Sequence, residues 1–368
     1  MSITDKVPDY IRRIVPYVPG KPIDEVEREY GIQGSAKLAS NENPLGPSPK
    51  ALAALREHLE ELHLYPDGDC FHLRHALAAK LNVAPERLVF GNGSNELIDL
   101  AVRTFLRPGD EALMSRGSFV AYGLALAAMG AAVRTVPLKD YGFDLESMAQ
   151  ALTPETRCVF LANPNNPTGT IYRRPEWEDF LERVGPDVLV VADEAYFEYA
   201  NDPDYPDSLR YHREDRSLLT LRTFSKAYGL AGLRVGYGIA HPDIVAVMNQ
   251  VREPFNVNAA AQWAATAALD DAAHLQRSIE VNRQGLTYLT EELTARGIEW
   301  VPSHANFMLV RTGDPARVYE ELLRRGVIVR PVGPEFPEHV RVTVGTADEN
   351  RRFLDALSEI RAGNGGAG

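Results

Sequence analysis

The sequence predicts an α/β protein with a large domain, in which helices cover both faces of a mostly parallel sheet, and a smaller α+β domain. Short, continuous apolar runs alternate with helical segments between residues 87 and 221, a pattern typical of parallel strands buried on both faces. After about residue 255, long helical segments alternate with short strands. With 368 residues and 45% apolar content, the chain is long enough for two cores.

Composition narrows the classes of function. The net charge is -12, the pI is about 5.3, and no basic stripe occurs, so we expect no nucleic-acid partner. Cys70 and Cys158 lie far apart without CxxC spacing, so we expect no disulfide framework, no metal site and a reducing, cytoplasmic compartment. The longest weakly apolar stretch, residues 121–133, is too short to cross a bilayer.

The pattern of turn residues suggests the domain organisation. Residues 1–44 are rich in proline and turn residues, and we expect them to form an N-terminal arm that joins the small domain. The large domain is predicted over residues 45–255 and the small C-terminal domain over residues 256–361. Residues 362–368, rich in glycine, are predicted to form a disordered tail.

Local signals define the elements in order. Ser48 and Pro49 predict a helix start, with serine as N-cap and proline in the first turn, and the helix is expected to reach about residue 62. Asp69 is the predicted cap of the next helix, residues 70–81. The large domain then has predicted strands at residues 87–90, 111–114, 132–136, 158–162, 188–192 and 218–221, and helices at 96–105, 120–129 and 175–184. The small domain has predicted helices at residues 258–269, 272–296, 315–325 and 348–361, and strands at 307–310, 327–330 and 340–344.

Two polar motifs follow strands of the predicted sheet, where such folds bind ligands. The first, Gly91-Asn92-Gly93-Ser94-Asn95-Glu96, lies between a strand and a helix. Free N–H groups at a helix start and the Ser94 hydroxyl suit a phosphate, although a serine here is also an ordinary N-cap. The second motif, residues 163–169, has two Asn-Pro steps; it is a tight turn that could direct one asparagine amide at a ligand.

Two further motifs carry ionisable groups. Asp193-Glu194-Ala195-Tyr196 follows a strand, so the Asp193 carboxylate is expected at the sheet edge, where it needs a cationic partner; a helix cap or surface turn is the alternative. The stretch from residue 223 to 236 contains Ser225, Lys226 and Arg234 between two apolar runs. A lysine buried as a cation is costly, unless its amine serves as a nucleophile or has a lowered pKa.

Together the four motifs supply a phosphate cradle, an amide, a carboxylate, a phenol, an amine nucleophile and an arginine. This set meets the requirements of pyridoxal 5′-phosphate: an amine for covalent attachment, a carboxylate for the ring nitrogen, and donors for the ring hydroxyl and the phosphate. No single motif is specific for that cofactor. Their order and spacing along one chain favour it.

These motifs resemble those of the fold-type I pyridoxal-phosphate-dependent aminotransferases. The resemblance extends from Asn43 to about residue 361 and rests on Asn-Pro-Thr-Gly, on Asp-x-x-Tyr, and on Ser-Lys with an arginine eight residues after the lysine. It implies a homodimer with shared active sites. It also implies that Lys226 carries the cofactor and moves protons, and that Asp193 pairs with the ring nitrogen.

The same resemblance implies further roles. Asn166 and Tyr196 match residues that contact the ring hydroxyl, and with Lys226 and Asp193, Tyr196 completes the predicted catalytic set. Phe119 matches an aromatic residue stacked on the cofactor, and Tyr65 a tyrosine that reaches the neighbouring subunit's cofactor phosphate. The positions that hold the phosphate are matched by Gly93, Ser94, Asn95, Thr223, Ser225 and Arg234.

Within that family the chain resembles the histidinol-phosphate aminotransferases. The motifs are residues 16–21, 40–47, 65–67, 224–234, 254–258 and 341–345. The resemblance implies that Tyr17, Asn43, Arg330 and Arg341 bind substrate, with Arg341 and Arg330 contacting its anionic group. The implied reaction exchanges an amino group between histidinol phosphate and 2-oxoglutarate, giving imidazole-acetol phosphate and glutamate, in histidine biosynthesis.

Three alternatives remain open from the sequence. An aromatic amino-acid aminotransferase would use the same scaffold and differ in a few pocket side chains. A threonine-phosphate decarboxylase would be a lyase and would not turn over glutamate. A cofactor-sensing regulator would need a DNA-binding domain, for which the arm of about 40 residues has neither the length nor the basic charge.

Overall fold

The structure is a computed structural model that describes residues 2–364. Its helices are α1 (Asp9–Arg12), α2 (Ile23–Tyr30), α3 (Pro49–His58), α4 (Phe71–Leu81), α5 (Ser94–Phe105), α6 (Val120–Met129), α7 (Leu145–Gln150), α8 (Arg174–Arg183), α9 (Pro242–Val251), α10 (Ala259–Leu269), α11 (Ala272–Ala295), α12 (Pro315–Arg324) and α13 (Ala347–Asn364). Its strands are β1 (Ala36–Lys37), β2 (Leu88–Gly91), β3 (Glu111–Ser115), β4 (Ala132–Val136), β5 (Thr156–Ala162), β6 (Leu189–Asp193), β7 (Leu218–Thr223), β8 (Gly236–Ile239), β9 (Phe307–Arg311), β10 (Val327–Ile328), β11 (Arg330–Pro331) and β12 (His339–Thr343). Within this part of the chain, no helix is long and apolar enough to cross a membrane.

The large sheet has seven strands in the order β2-β8-β7-β6-β5-β3-β4. Strands β3 to β7 are parallel, while β8 runs antiparallel to both β2 and β7. The register pairs Ala162 with Asp193 and Asp193 with Leu221. The loops after β5, β6 and β7, which contain three of the four polar motifs, therefore leave the sheet side by side.

The three largest hydrophobic cores of the described residues hold these elements together. One fills the space between the sheet and helices such as α5, α6 and α8, with Tyr122, Phe160 and Trp177 fully buried. A second packs α3, α4 and α10 against β2 and β8. The third lies among β9, β12, α11, α12 and α13. The predicted α/β fold, with a mostly parallel sheet flanked by helices and a separate α+β part, is confirmed.

The arm is attached to the C-terminal part of the chain. Strand β1 pairs in parallel with β10, with Ala36 opposite Val327, and Leu38 is buried in the third core. The domain boundaries at residues 44/45 and 255/256 stay predictions, which these contacts and the separate cores support.

Several local predictions were wrong or incomplete. Asp69 does not cap α4; Asp67 accepts a hydrogen bond from the Phe71 N–H at 2.7 Å, because Cys70 turns the chain with φ of +53°. The Ser48 cap of α3 is correct, but that helix ends at His58. The predicted strand 327–330 is divided between two sheets. Helices α1, α2, α7 and α9 were not predicted, and strand β8 was predicted only as an apolar run.

The C-terminal helix is longer than predicted. It reaches Asn364, so the predicted tail begins inside a helix, and residues 365–368 lie outside the described residues.

Candidate active site

A cavity of about 400 Å³ opens at the carboxyl ends of β5, β6 and β7. It takes side chains from all four polar motifs, from the arm and from the C-terminal strands. Residues 223–236 run from the last residue of β7 to the first of β8, so Lys226 follows the end of a buried strand by three residues. The predicted site residues that line the cavity are Tyr17, Ser94, Asn95, Phe119, Asn166, Asp193, Tyr196, Thr223, Ser225, Lys226, Arg234, Arg330 and Arg341.

Lys226 provides the amine of this cavity. Its Nζ donates a hydrogen bond to the Ser40 carbonyl at 3.1 Å and lies 5.7 Å from the centroid of the Tyr196 ring. Burial, reinforced by the positive charge of Arg341, lowers the pKa of Lys226 to about 7. A large fraction of this amine is therefore unprotonated at neutral pH and can act as a nucleophile or base.

Asp193 ends β6 and is buried. One carboxylate oxygen accepts a hydrogen bond from the Tyr122 hydroxyl at 2.7 Å, and the other accepts one from the Ala195 N–H at 3.1 Å. Burial raises the pKa of Asp193 to about 6. No side-chain cation is bonded to this carboxylate within residues 2–364, so a protonated ring nitrogen would supply the missing partner.

The first motif and Arg234 form an anion-binding corner. Helix α5 begins at Ser94 without a side-chain cap, which leaves the first N–H groups of a 12-residue helix free for a ligand. The guanidinium of Arg234 donates to Ser225 Oγ at 3.5 Å, and Thr223 Oγ1 donates to the same atom at 3.0 Å. Ser94 is therefore not the N-cap that the sequence allowed.

Two glycines permit this close packing. Gly93 has φ of +77°, and a Cβ there would lie 2.6 Å from Arg234 Nη2. At Gly236, a Cβ would lie 2.4 Å from the backbone nitrogen of Ser94. Strand β8 can therefore pass directly against the start of α5 only because residue 236 lacks a side chain.

A second pair of cations lines the cavity on the C-terminal strands. Arg330 and Arg341 are register partners on β11 and β12. Arg341 donates to Asn166 Oδ1 at 2.6 Å and to the Ala39 carbonyl, while its Nε has no partner in the described residues. Arg330 donates to the Val18 carbonyl at 2.6 Å and lies over the Tyr17 ring. Like charges directly opposite one another are destabilising, so an anion between them would stabilise the pair.

Tyr196 is held by the arm. Its hydroxyl accepts a hydrogen bond from Asn41 Nδ2 at 2.8 Å, and Asn41 Oδ1 accepts one from Thr343 Oγ1 at 2.9 Å. Burial raises the pKa of Tyr196, so the phenol remains a hydrogen-bond donor at physiological pH. One arm residue thus connects the third motif to β12.

Three predicted site residues, Asn43, Tyr65 and Gly93, are not part of the cavity lining. Asn43 uses its amide fully, because Nδ2 donates to the Ala227 carbonyl and Ser278 Oγ while Oδ1 accepts from the Leu45 N–H. It fixes the turn beside Lys226 and does not face the cavity. Tyr65 is 84% exposed and stacks on Phe255 with the ring centroids 4.9 Å apart. Gly93 contributes through the space it leaves for Arg234.

Sequence reasoning missed several cavity residues. Tyr122 on α6 bonds to Asp193, Asn41 bonds to Tyr196, and Ser40 accepts from Lys226. For Tyr122 a signal was available, because it lies three residues after Phe119 and therefore on the same side of its helix. Asn41 and Ser40 belong to the motif 40–47, which supported the family resemblance but from which only Asn43 was given a role.

The residues fit pyridoxal 5′-phosphate. The uncapped start of α5, beside a guanidinium that a Cβ at residue 93 would displace, suits the phosphate. The buried carboxylate of Asp193 without a cation suits the ring nitrogen, and the amine of Lys226, with its lowered pKa, suits the aldehyde. The fold and this site define a pyridoxal-phosphate-dependent aminotransferase.

Comparison with known proteins supports the assignment to the aminotransferases. Residues 34–357 match the family described as aminotransferase class I and II. The chain is 50% identical over 354 residues to histidinol-phosphate aminotransferase 1 of Nitrosococcus oceani, covering 95% of each chain. It is 50% identical over 366 residues to the histidinol-phosphate aminotransferase of Moorella thermoacetica, covering 98% of this chain and 95% of the relative.

A solved structure is similar as well. The histidinol-phosphate aminotransferase from Sinorhizobium meliloti, in complex with pyridoxal 5′-phosphate, has a TM-score of 0.89 at 28% identity and covers 96% of this chain and 97% of its own. The chain therefore belongs to the class I and II aminotransferases and, among them, to the family of the histidinol-phosphate aminotransferases.

Proposed function

We propose that the protein transfers the amino group of glutamate to imidazole-acetol phosphate, giving histidinol phosphate and 2-oxoglutarate, as a step of histidine biosynthesis. The observation that carries the proposal is about 50% identity, over nearly the whole chain, to proteins named for this activity. The paired arginines Arg330 and Arg341 support it, because they form an anion site separate from the corner at Arg234. One site would hold the phosphate of the cofactor and the other the anionic group of the substrate.

When bound, pyridoxal 5′-phosphate supplies an electron-withdrawing ring that stabilises negative charge at the substrate's reacting carbon. The protein's own side chains supply the base and the electrostatic partner of the ring. Lys226, with a pKa of about 7, would move the proton between that carbon and the aldehyde carbon of the cofactor, which requires a base that is partly neutral at the working pH. Asp193 would hold the ring nitrogen protonated, and its carboxylate accepts hydrogen bonds from the Tyr122 hydroxyl and the Ala195 N–H.

The remaining side chains of the cavity would bind and orient the cofactor. Ser94, Asn95, Thr223, Ser225 and Arg234 would hold the cofactor phosphate at the start of α5, and Phe119 would pack on the ring. Asn166 and Tyr196 hold the ring hydroxyl.

The substrate is bound by a smaller group. Arg341 and Arg330 bind the phosphate of histidinol phosphate or a carboxylate of glutamate, and Tyr17 closes the cavity from the arm. Two features of Arg341 favour anion binding. Burial disfavours its charged form and lowers its pKa, and its Nε lacks a hydrogen-bond partner among the described residues. A bound anion would offset both costs.

We further propose a homodimer with shared sites. Tyr65 does not reach the cavity of its own chain, and the chain on either side of it carries further exposed apolar side chains, including Leu59, Leu62, Leu64 and Phe71. Exposed apolar surface of this kind marks an interaction site. We also propose a cytoplasmic location, which the two buried, unpaired cysteines support.

The test mixes the cofactor-loaded protein with histidinol phosphate, glutamate or phenylalanine and follows the loss of the cofactor's starting absorbance. We expect conversion by the first two and much slower conversion by phenylalanine, and none in the matched Lys226→Ala variant. Conversion by phenylalanine alone would identify an aromatic amino-acid aminotransferase. Release of carbon dioxide from threonine phosphate would identify a decarboxylase.

A further inference from the structure

The phenol of Tyr122 lies at the back of the active site and belongs to none of the predicted motifs. Its side chain is fully buried, and its hydroxyl donates to Asp193 Oδ2 at 2.7 Å. The ring stacks on Phe160 with the centroids 5.0 Å apart, at an interplanar angle of 20°. It also meets Phe119 edge to face at 5.6 Å.

The position of Tyr122 is therefore fixed by its neighbours on the sheet. Phe160 is on β5, and Asp193 is at the end of β6, the neighbouring strand. Burial, followed by the charge of Asp193, raises the pKa of Tyr122 well above its ordinary value, so its proton remains on the phenol. The hydroxyl is a permanent donor to the carboxylate.

We propose that Tyr122 is a positioning residue that sets both the charge and the orientation of Asp193 and, through the edge-to-face contact, the angle of the Phe119 ring. The proposal rests on the aminotransferase function but not on the identity of the substrate. Only Oδ2 of Asp193 bonds to Tyr122, while Oδ1 accepts from the Ala195 backbone. The carboxylate thus has one donor from its own loop and one from a separate helix, and only the second can be removed by substitution.

Tyr122 can control the charge of Asp193 because two opposing influences, burial and hydrogen bonding, set the pKa of this buried carboxylate. Burial opposes the ionised form of Asp193, and the hydrogen bond from Tyr122 is the largest opposing influence on its pKa. A hydrogen bond to a charged group contributes about 1.5–3 kcal/mol. Its loss should make Asp193 a weaker acid, with an acid dissociation constant lower by about tenfold or more.

The matched pair of variants is Tyr122→Phe and Tyr172→Phe. Both delete one hydroxyl from a buried tyrosine that packs in the same core, but Tyr172 stacks on Trp177 and makes no side-chain hydrogen bond to Asp193. The first readout is the acid dissociation constant of Asp193 in the cofactor-free protein, measured by NMR of carbon-labelled aspartate and assigned with Asp193→Asn. We expect a fall of about tenfold in Tyr122→Phe and no change in Tyr172→Phe.

The second readout is the dissociation constant of pyridoxal 5′-phosphate, measured in the single variants and in the double variant Tyr122→Phe/Asp193→Asn. Because Tyr122 acts through Asp193, Tyr122→Phe should weaken binding about tenfold in the wild-type background and much less in the Asp193→Asn background. In the loaded enzyme, kcat should fall while KM changes little, because ring protonation acts in the transition state.

An unchanged titration of Asp193, or an equal loss of cofactor affinity in both backgrounds, would overturn the proposal even if turnover falls, since packing alone would then explain the effect. If Tyr122→Phe does not fold, fluorotyrosine at position 122 gives an independent test. Its more acidic hydroxyl is a stronger donor, so Asp193 must become a stronger acid, and the opposite change would refute the idea. Failure of the proposed substrate would instead appear as inactivity of the wild-type protein toward histidinol phosphate, with these differences intact.

Discussion

Lys226→Met tests how much stability the protein gives up to keep an amine in its cavity. In the cofactor-free protein the pKa of Lys226 is about 7, against an ordinary value of 10.5. Between these two pH values the unfolded chain binds one more proton than the folded one, so stability rises with pH. Each pKa unit corresponds to about 1.36 kcal/mol. The penalty is therefore about 4 kcal/mol at pH 7 and about 1 kcal/mol at pH 9.5.

Methionine has a similar shape and no charge, so Lys226→Met should remove this penalty. We expect its stabilisation of the cofactor-free protein, relative to wild type, to fall by about 3 kcal/mol between pH 7 and pH 9.5. The lost hydrogen bond to the Ser40 carbonyl reduces the stabilisation by about 1 kcal/mol at both pH values and does not affect the difference. The assay is urea unfolding followed by circular dichroism.

The control is Lys6→Met, which removes an exposed ammonium group at the N-terminal end. Water solvates that group in the folded and unfolded states alike, so its effect on stability should not depend on pH. A Lys226→Met effect of the same size at pH 7 and pH 9.5 would refute the reasoning, because it would mean that the folded protein keeps Lys226 protonated.

Three further predictions concern the anion corner, a buried ion pair and the dimer. Gly93→Ala should weaken cofactor affinity about tenfold, because its Cβ would lie 2.6 Å from Arg234 Nη2 at a φ of +77°. Fluorescence titration measures the affinity, and Gly123→Ala, whose Cβ would have open space, is the control. Equal affinities of the two variants would contradict the prediction. Arg222→Met should lower the free energy of unfolding by about 3–5 kcal/mol, because it leaves buried Glu194, now bonded at 2.8 Å, without its cation; a loss below about 1 kcal/mol in urea unfolding would count against this. Tyr65→Phe should weaken cofactor retention in a dimer, and an active monomer in analytical ultracentrifugation would rule out the shared site.

Much of the fold was predictable from local pattern. Strands buried on both faces, such as β5 and β6, appear as continuous apolar runs. Helix α6 and the largely exposed edge strand β4 begin and end at the predicted residues. The helices that were not predicted, such as α2 and α9, have polar or mixed faces. Cap positions were less certain, because Cys70 adopts a positive φ that no local signal indicates and thereby transfers the capping role from Asp69 to Asp67.

The sequence by itself determined which motifs meet, because parallel strands bring their carboxyl ends to one edge and each motif directly follows a strand. That reasoning placed Lys226, Asp193 and Ser94 in one cavity. Only the tertiary structure decided which side chains complete the site. Tyr122 is 71 residues from Asp193, and Asn41 is 155 residues from Tyr196.

Asn41 and Asn43 show most clearly that the sequence leaves the partners of a side chain open and the tertiary structure decides them. Both are buried asparagines of one turn, yet Asn41 bonds to the phenol of Tyr196 while Asn43 bonds to the backbone of Ala227 and to Ser278. Likewise, the register of β11 and β12 alone places Arg330 opposite Arg341. Such pairings depend on the direction of each side chain and on how distant elements pack against one another, and no local pattern in the sequence specifies either.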